Sequence, residues 1–155
     1  MVARASVLFV CLGNICRSPL AEAAMRRAAS NAGLLLEVDS AGTGHWHVGK
    51  PPDPRAQATA QHFGIDISGL RARQIEAADY ARFTHILALD RDNLSVIEAR
   101  APAGATAEIA LLFDHVPGRE GGEVADPYYG GGERFDDTWA DVTVAAEALV
   151  RKFAQ

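Results

Sequence analysis

Hydrophobic positions along this chain follow two alternating patterns: short continuous runs, and longer stretches in which they recur every third or fourth residue. Val7-Leu8-Phe9-Val10 is the first run, and Ser6 to Val10 reads as a buried strand. Leu20 to about Ala32 follows as a helix, because Leu20, Ala24 and Ala28 share a face and Gly33 can end it. Leu34 to Val38 reads as a second strand, closing near Asp39-Ser40-Ala41-Gly42. Thr43 to Pro54 is rich in Gly and Pro and reads as a loop. Arg55 to Phe63 then resumes the helical pattern, with Pro52 and Pro54 at its entrance. Ile65 to Ile75 is polar and irregular, and Glu76 to Tyr80 suits a short helix. Thr84 to Leu89 reads as a strand, and a helix follows from about Asn93 to Ala99. Ala107 to Leu112 is expected to be a fourth strand, although its alanines also suit a helix, and Asp114 to Gly132 is a Gly-rich loop. The last helix has the clearest period: Phe135, Trp139, Val142, Ala146, Leu149 and Phe153 recur at steps of three and four. Asp136 and Asp137 open it and Arg151 and Lys152 close it, as the helix dipole favours. Trp139 lies on the apolar stripe and is read as core.

Strands alternating with helices predict an α/β fold with an open, mostly parallel sheet, whose ligands sit beyond the carboxyl ends of the strands. Cys11, Ser40, Asp90 and the loop from Asp114 all follow predicted strands, so they should meet on that edge. Asp90 can cap the next helix or orient groups of the site. At 155 residues the chain suits a single domain spanning 1–155. Its 48% hydrophobic and 23% charged residues are ordinary for a soluble protein. A net charge of −5 argues against a nucleic-acid or acidic-membrane partner. It also means that an anionic substrate must be drawn in by a local positive pocket. Two cysteines five positions apart, with no signal peptide, point to a reducing cytoplasm.

The chemistry concentrates in Val10-Cys11-Leu12-Gly13-Asn14-Ile15-Cys16-Arg17-Ser18-Pro19, between the first strand and the first helix. The first amides of a helix lack partners and sit at the positive end of its dipole, so this junction suits an anion. Converging amides and the Arg17 guanidinium favour a thiolate on Cys11. The same donors suit a tetrahedral oxyanion, two of whose oxygens a planar guanidinium can grip. Gly13 lets the backbone bend where a side chain would clash, and Asn14 tolerates a left-handed turn and can bond its own loop. Ser18 can cap the helix or donate to the sulfur, and Pro19 fits the first turn. Competing readings are a buried structural cysteine, a nucleotide loop lacking its Gly-Lys-Ser/Thr, and a zinc site lacking ligands. Only the constellation as a whole selects a phosphate-ester cleaving enzyme with a cysteine nucleophile.

Expelling an alkoxide or phenolate from phosphorus calls for an acid on a loop over the pocket, and Asp126, in Asp126-Pro127-Tyr128-Tyr129, is the candidate. Asp-Pro is also a common turn starter. Trp46, Tyr128 and Tyr129 suit the walls of a slot for a flat ring. No metal or other cofactor is required. His45, His47, His62, His85 and His115 show no mutual metal spacing, and the first two are placed at the rim of the cleft. Cys16 has two readings: a small apolar side chain under the loop, or a resolving thiol that condenses with oxidised Cys11.

VCLGNICRSPLAE, from Val10 to Glu22, resembles the signature of the low-molecular-weight protein tyrosine phosphatases. SAGTGHWHVGKPPDPRA, RARQI, LDRDN and DPYYGG extend the likeness over nearly the whole chain. The resemblance implies a four-stranded parallel sheet flanked by helices, with a phosphate loop of Leu12, Gly13, Asn14, Ile15, Cys16 and Ser18 after strand one. It implies Cys11 as nucleophile, Arg17 as phosphate and transition-state ligand, and Asp126 as general acid and base. Trp46 and Tyr128, with Tyr129, would flank a phosphotyrosine ring, and Asn14 and Ser40 would brace the loop. The partner would be a phosphotyrosine-containing protein and the product inorganic phosphate. Adjacent Tyr128 and Tyr129 suit weak self-association, so a monomer or weak dimer is expected. The family commonly completes the brace with a histidine before its Ala-Arg-Gln motif; Leu70 stands at that place here. A less rigid loop, or a Cys11 that ionises less readily, is the expected consequence. Two rival classes share the oxyanion loop. A thioredoxin-linked arsenate reductase needs further redox cysteines, which do not follow Cys16. A non-catalytic phosphate-binding module has no need of both Cys11 and Asp126.

Overall fold

The protein is described by a computed structural model covering residues 3–155. Its organising element is β1 (Ala5–Cys11), buried along its whole length because the sheet is covered on both sides. β1 pairs in parallel with β2 (Leu36–Gly42) on one side and with β3 (His85–Ala88) on the other, and β4 (Glu108–Leu111) extends the sheet beyond β3. The order β2-β1-β3-β4 places β1 where the connections turn from one face to the other. That is the place at which open α/β sheets bind ligands.

Alternate residues of β1 feed two cores. Val7, Phe9 and Cys11 pack with α1 (Arg17–Asn31) and the long closing helix α5 (Gly132–Phe153). Leu8 and Val10 face the other way, into a smaller cluster with Ile86, Tyr80, Phe83 and Ile97. The last of these comes from α4 (Arg91–Arg100), and Tyr80 lies in the one-turn α3 (Asp79–Arg82). α2 (Pro54–His62) packs against α5, where Phe63 stacks on Trp139 at 5.2 Å. Every apolar residue of the α5 stripe read from sequence is buried, Trp139 among them. No helix among the described residues is long and apolar enough to cross a membrane.

Most boundaries differ from the sequence reading by a residue or two, and α5 begins at Gly132, so Glu133 rather than Asp136 and Asp137 is the acidic residue of its first turn. Four differences are more informative. α1 begins at Arg17 rather than Leu20, because the loop after β1 turns directly into helix at two polar residues that apolar periodicity ignores. β2 runs to Gly42 and omits Leu34 and Leu35, since Gly33, at φ +68°, turns the chain before the ladder opens at Leu36. α3 starts three residues later than expected, at Asp79, whose carboxylate accepts from the Glu76 amide. β4 is limited to Glu108–Leu111, which resolves the alanine ambiguity in favour of strand, and a single 3₁₀ turn (Leu112–His115) follows it.

Candidate active site

Cys11 is the last residue of β1, and the chain bends through residues 12–16 before entering α1. Asn14 takes φ +58°, a left-handed conformation that asparagine tolerates better than other non-glycine residues. The bend turns the loop's carbonyls outward: the Leu12 carbonyl accepts from the Gly44 amide at 2.9 Å and that of Ile15 from the Asp53 amide at 2.8 Å. Among the described residues, none of the amides of Leu12 to Ser18 donates to a protein acceptor. Backbone donors are nearly always paired in folded proteins, so seven successive free ones mark an anion site. Gly42, beside Cys11 in the β1–β2 ladder, permits this approach, since a Cβ there would stand 2.8 Å from the Leu12 carbonyl oxygen.

A chain of polar side chains braces the bend from behind. The Ser18 hydroxyl lies 3.1 Å from the Cys11 sulfur and 3.5 Å from the Ala41 carbonyl oxygen. Asn14 Nδ2 donates to Ser18 Oγ at 2.8 Å and to Ser40 Oγ at 3.0 Å, while Asn14 Oδ1 accepts from the Arg73 amide at 2.9 Å. Ser40 in turn donates to Glu22 Oε1 at 2.7 Å, and Arg26 holds the other Glu22 oxygen at 2.9 Å. Glu22 is only 2% exposed, and burial raises its pKa against the opposing pull of Ser40 and Arg26. The brace thus ends on a carboxylate. Leu70 is half-buried beside Glu22, on the wall of a cavity of about 300 Å³.

Arg17 is buried and doubly held: its Nη1 donates to Asp90 Oδ2 at 2.7 Å and to the Val124 carbonyl at 2.9 Å. Burial works against its charge, but Cys11, Asp90 and Asp126 together raise its pKa above the ordinary guanidinium value. Asp90 fulfils both sequence readings, since its other oxygen accepts from the Asn93 amide and caps α4. Asp126 reaches over from the loop after β4, with Oδ2 3.7 Å from Arg17 Nη2 and a side chain 43% exposed. Cys11, Cys16, Arg17, Asp126, Trp46, His47, Tyr128 and Tyr129 line a single cleft of about 260 Å³. Trp46 and Tyr129 stand largely in solvent at its mouth, and Tyr128 packs edge-on to Tyr129. Cys16 is buried; desolvation, with Asp53 and Cys11 nearby, pushes its thiol well above the usual range.

The structure brings together the site residues read from the sequence, except that His45 does not line the cleft: it stacks on Trp46, and of the two histidines only His47 reaches the wall. Ser18 lies one residue into α1 and bonds the sulfur instead of capping the helix. Asp114 stays outside the cleft, holding the Leu111 and Gly121 amides, and only the far end of its loop reaches the site. Sequence reading missed Glu22, which looks like an ordinary helix glutamate, and Gly42, whose spacing after strand two was the available signal. It also missed the pair Asp53–Arg55 at the cleft's edge, where Arg55 takes both Asp53 oxygens at 3.0 and 2.9 Å.

A bowl of free amides closed by a fixed guanidinium, with sulfur at its base and a carboxyl group at its lip, defines the class of α/β proteins that handle phosphate through a cysteine. Within that class, the family model described as low molecular weight phosphotyrosine protein phosphatase matches residues 6–155. The chain belongs to that family. The low molecular weight phosphotyrosine protein phosphatase of Schizosaccharomyces pombe is 39% identical over 157 residues, covering 99% of this chain and 100% of that one. The crystal structure of Primo-1 superposes with a TM-score of 0.91 at 39% identity, over 97% of this chain and 99% of that one. A Drosophila arginine phosphatase, DARP, has the same fold, with a TM-score of 0.89 at 32% identity over 96% and 98% of the two chains.

Proposed function

We propose that this protein hydrolyses phosphotyrosine in proteins, and small aryl phosphates, through a phosphocysteine on Cys11. The Cys11 sulfur attacks phosphorus opposite the ester oxygen. As the S–P bond forms and the P–O bond breaks, the electron pair leaves on oxygen, and Asp126 supplies the proton. Water then attacks the phosphocysteine, giving its proton to Asp126, and inorganic phosphate leaves as sulfur recovers its electron pair. The loop amides and Arg17 hold the three equatorial oxygens through both displacements. The hydrogen bonds of Arg17 to Asp90 and Val124 fix the guanidinium plane before substrate arrives, so little reorganisation accompanies reaction.

The observation that carries this reading is the run of unpaired amides from Leu12 to Ser18 around a cysteine sulfur. Preference for an aryl ester follows from the aromatic mouth: Trp46 and Tyr128 stand above the bowl, which suits a ring bridging peptide and phosphate. The shorter arm of phosphoserine leaves phosphorus above the sulfur. The protein acts in a reducing cytoplasm as a monomer or weak dimer, a setting suited to two free thiols. The test is hydrolysis of para-nitrophenyl phosphate and of phosphotyrosyl, phosphoseryl and phosphoarginyl peptides by wild type, Cys11→Ser and Asp126→Ala. Phosphotyrosyl turnover that Cys11→Ser abolishes is expected, with a phosphorus adduct on Cys11 trapped by acid quench. Faster turnover of phosphoarginine, or undiminished activity in Cys11→Ser, overturns the proposal.

A further inference from the structure

Residues 125–130 carry the acid yet have few ties to the rest of the molecule. Val124, just before them, is anchored: its amide donates to the Leu89 carbonyl at 2.8 Å and its own carbonyl accepts from Arg17. Within the turn, the Tyr128 amide donates to Asp126 Oδ1 and the Gly130 amide to the Pro127 carbonyl. Among the described residues, its only polar links to other segments are the Asp126–Arg17 pair and one bond from Arg55 Nη1 to the Gly130 carbonyl at 3.1 Å.

Arg55 is fully engaged. Its guanidinium forks onto Asp53, which caps α2, and the Asp53 amide bonds the Ile15 carbonyl in the phosphate loop. The guanidinium carbon also lies 5.4 Å from the Tyr128 ring centre and 4.8 Å from that of Phe135, a buried residue near the start of α5. One side chain therefore ties the wall of the bowl to the far end of the acid's turn.

We infer that Arg55 is a positioning residue for general acid catalysis, setting where Asp126 meets the leaving oxygen. The inference rests on the proposed role of Asp126. Arg55 is not among the residues that line the cleft, so the loss expected on its removal falls chiefly on proton delivery. A general acid contributes roughly 10²- to 10⁴-fold, and loosening its turn forfeits part of that. The effect grows with the basicity of the leaving group, because a good leaving group needs little protonation.

The experiment compares kcat/KM for phenyl phosphate and 2,4-dinitrophenyl phosphate in wild type, Arg55→Ala, Asp126→Asn and the double variant. Arg55→Ala is expected to lose about tenfold on phenyl phosphate and less than about threefold on the dinitrophenyl ester. In the Asp126→Asn background it should change neither. Equal losses on both esters, or a further loss in the double variant, overturn the inference. A leaving-group dependence unchanged in Asp126→Asn would instead refute the acid assignment. Should Arg55→Ala fail to fold by circular dichroism, Arg55→Gln, which keeps much of the stem but cannot fork, takes its place.

Discussion

Replacing Asn14 with alanine isolates what keeps the amides pointing into the bowl. The side chain makes three hydrogen bonds, to Ser18, to Ser40 and from the Arg73 amide. At about 1 kcal/mol each, their loss costs about 3 kcal/mol. Alanine at φ +58° adds about 1 kcal/mol of backbone strain that asparagine largely avoids. Asn14→Ala should therefore lose about 4 kcal/mol of stability. Asn14→Gly makes no hydrogen bonds either, but adopts positive φ freely; it should lose about 3 kcal/mol. Urea unfolding of the three proteins, with matched slopes, reads both numbers. Phosphate should stabilise wild type strongly and both variants weakly, because the amides it binds are no longer held in place. An Asn14→Ala loss below about 1 kcal/mol, or a glycine variant less stable than the alanine one, would refute the reasoning.

Glu22 titrates above the ordinary carboxylate value of 4.5 because it is buried, so the folded chain keeps its proton longer than the unfolded one. Its contribution to stability should decline as pH rises upward from about 4.5, and Glu22→Gln should flatten that decline in unfolding curves taken across the range. His85 and His115 are shifted the other way, below 6.5: burial lowers both, Lys152 adds to this, and Glu108 opposes it. The unfolded chain then takes up protons first as pH falls below about 6.5, so stability should drop there, and the double change to glutamine should reduce the slope. Gly42→Ala would place a methyl group 2.8 Å from the Leu12 carbonyl oxygen and 3.2 Å from the Asn14 amide nitrogen, both backbone atoms. We expect a stability loss of about 1–3 kcal/mol and about tenfold weaker inhibition by phosphate, measured by denaturation and by steady-state kinetics.

Much of this site is legible in the sequence because its main parts are local. The strand, the loop from Cys11 to Ser18 and the start of α1 are contiguous, and their residue types dictate the chemistry before any tertiary contact is known. Asp126 is legible only through its motif, since nothing local separates an acid from a turn-starting aspartate. Ser40 and Asp39 obscured the end of β2: they are polar, yet they pair with Phe9 and Leu8 of β1, and Ser40 serves the brace. Glu22 was invisible for a tertiary reason. It sits on a face of α1 that a surface helix would leave wet, and only Ser40 and the neighbouring cavity wall show it to be interior. Leu70 shows the reverse: the departure was visible, but the carboxylate on which the brace ends came from another element.

The outward bonds of Leu12 and Ile15 have an evolutionary implication. Their acceptors are engaged by Gly44 and Asp53, which bound the segment that presents Trp46 and His47 to whatever enters. Recognition and chemistry therefore share one piece of backbone. A lineage that rebuilt residues 44–53 to greet a different partner would disturb the donors that steady the phosphoryl group, so new tastes in substrate should arise at the exposed tips of Trp46 and Tyr129 before the segment's main chain changes.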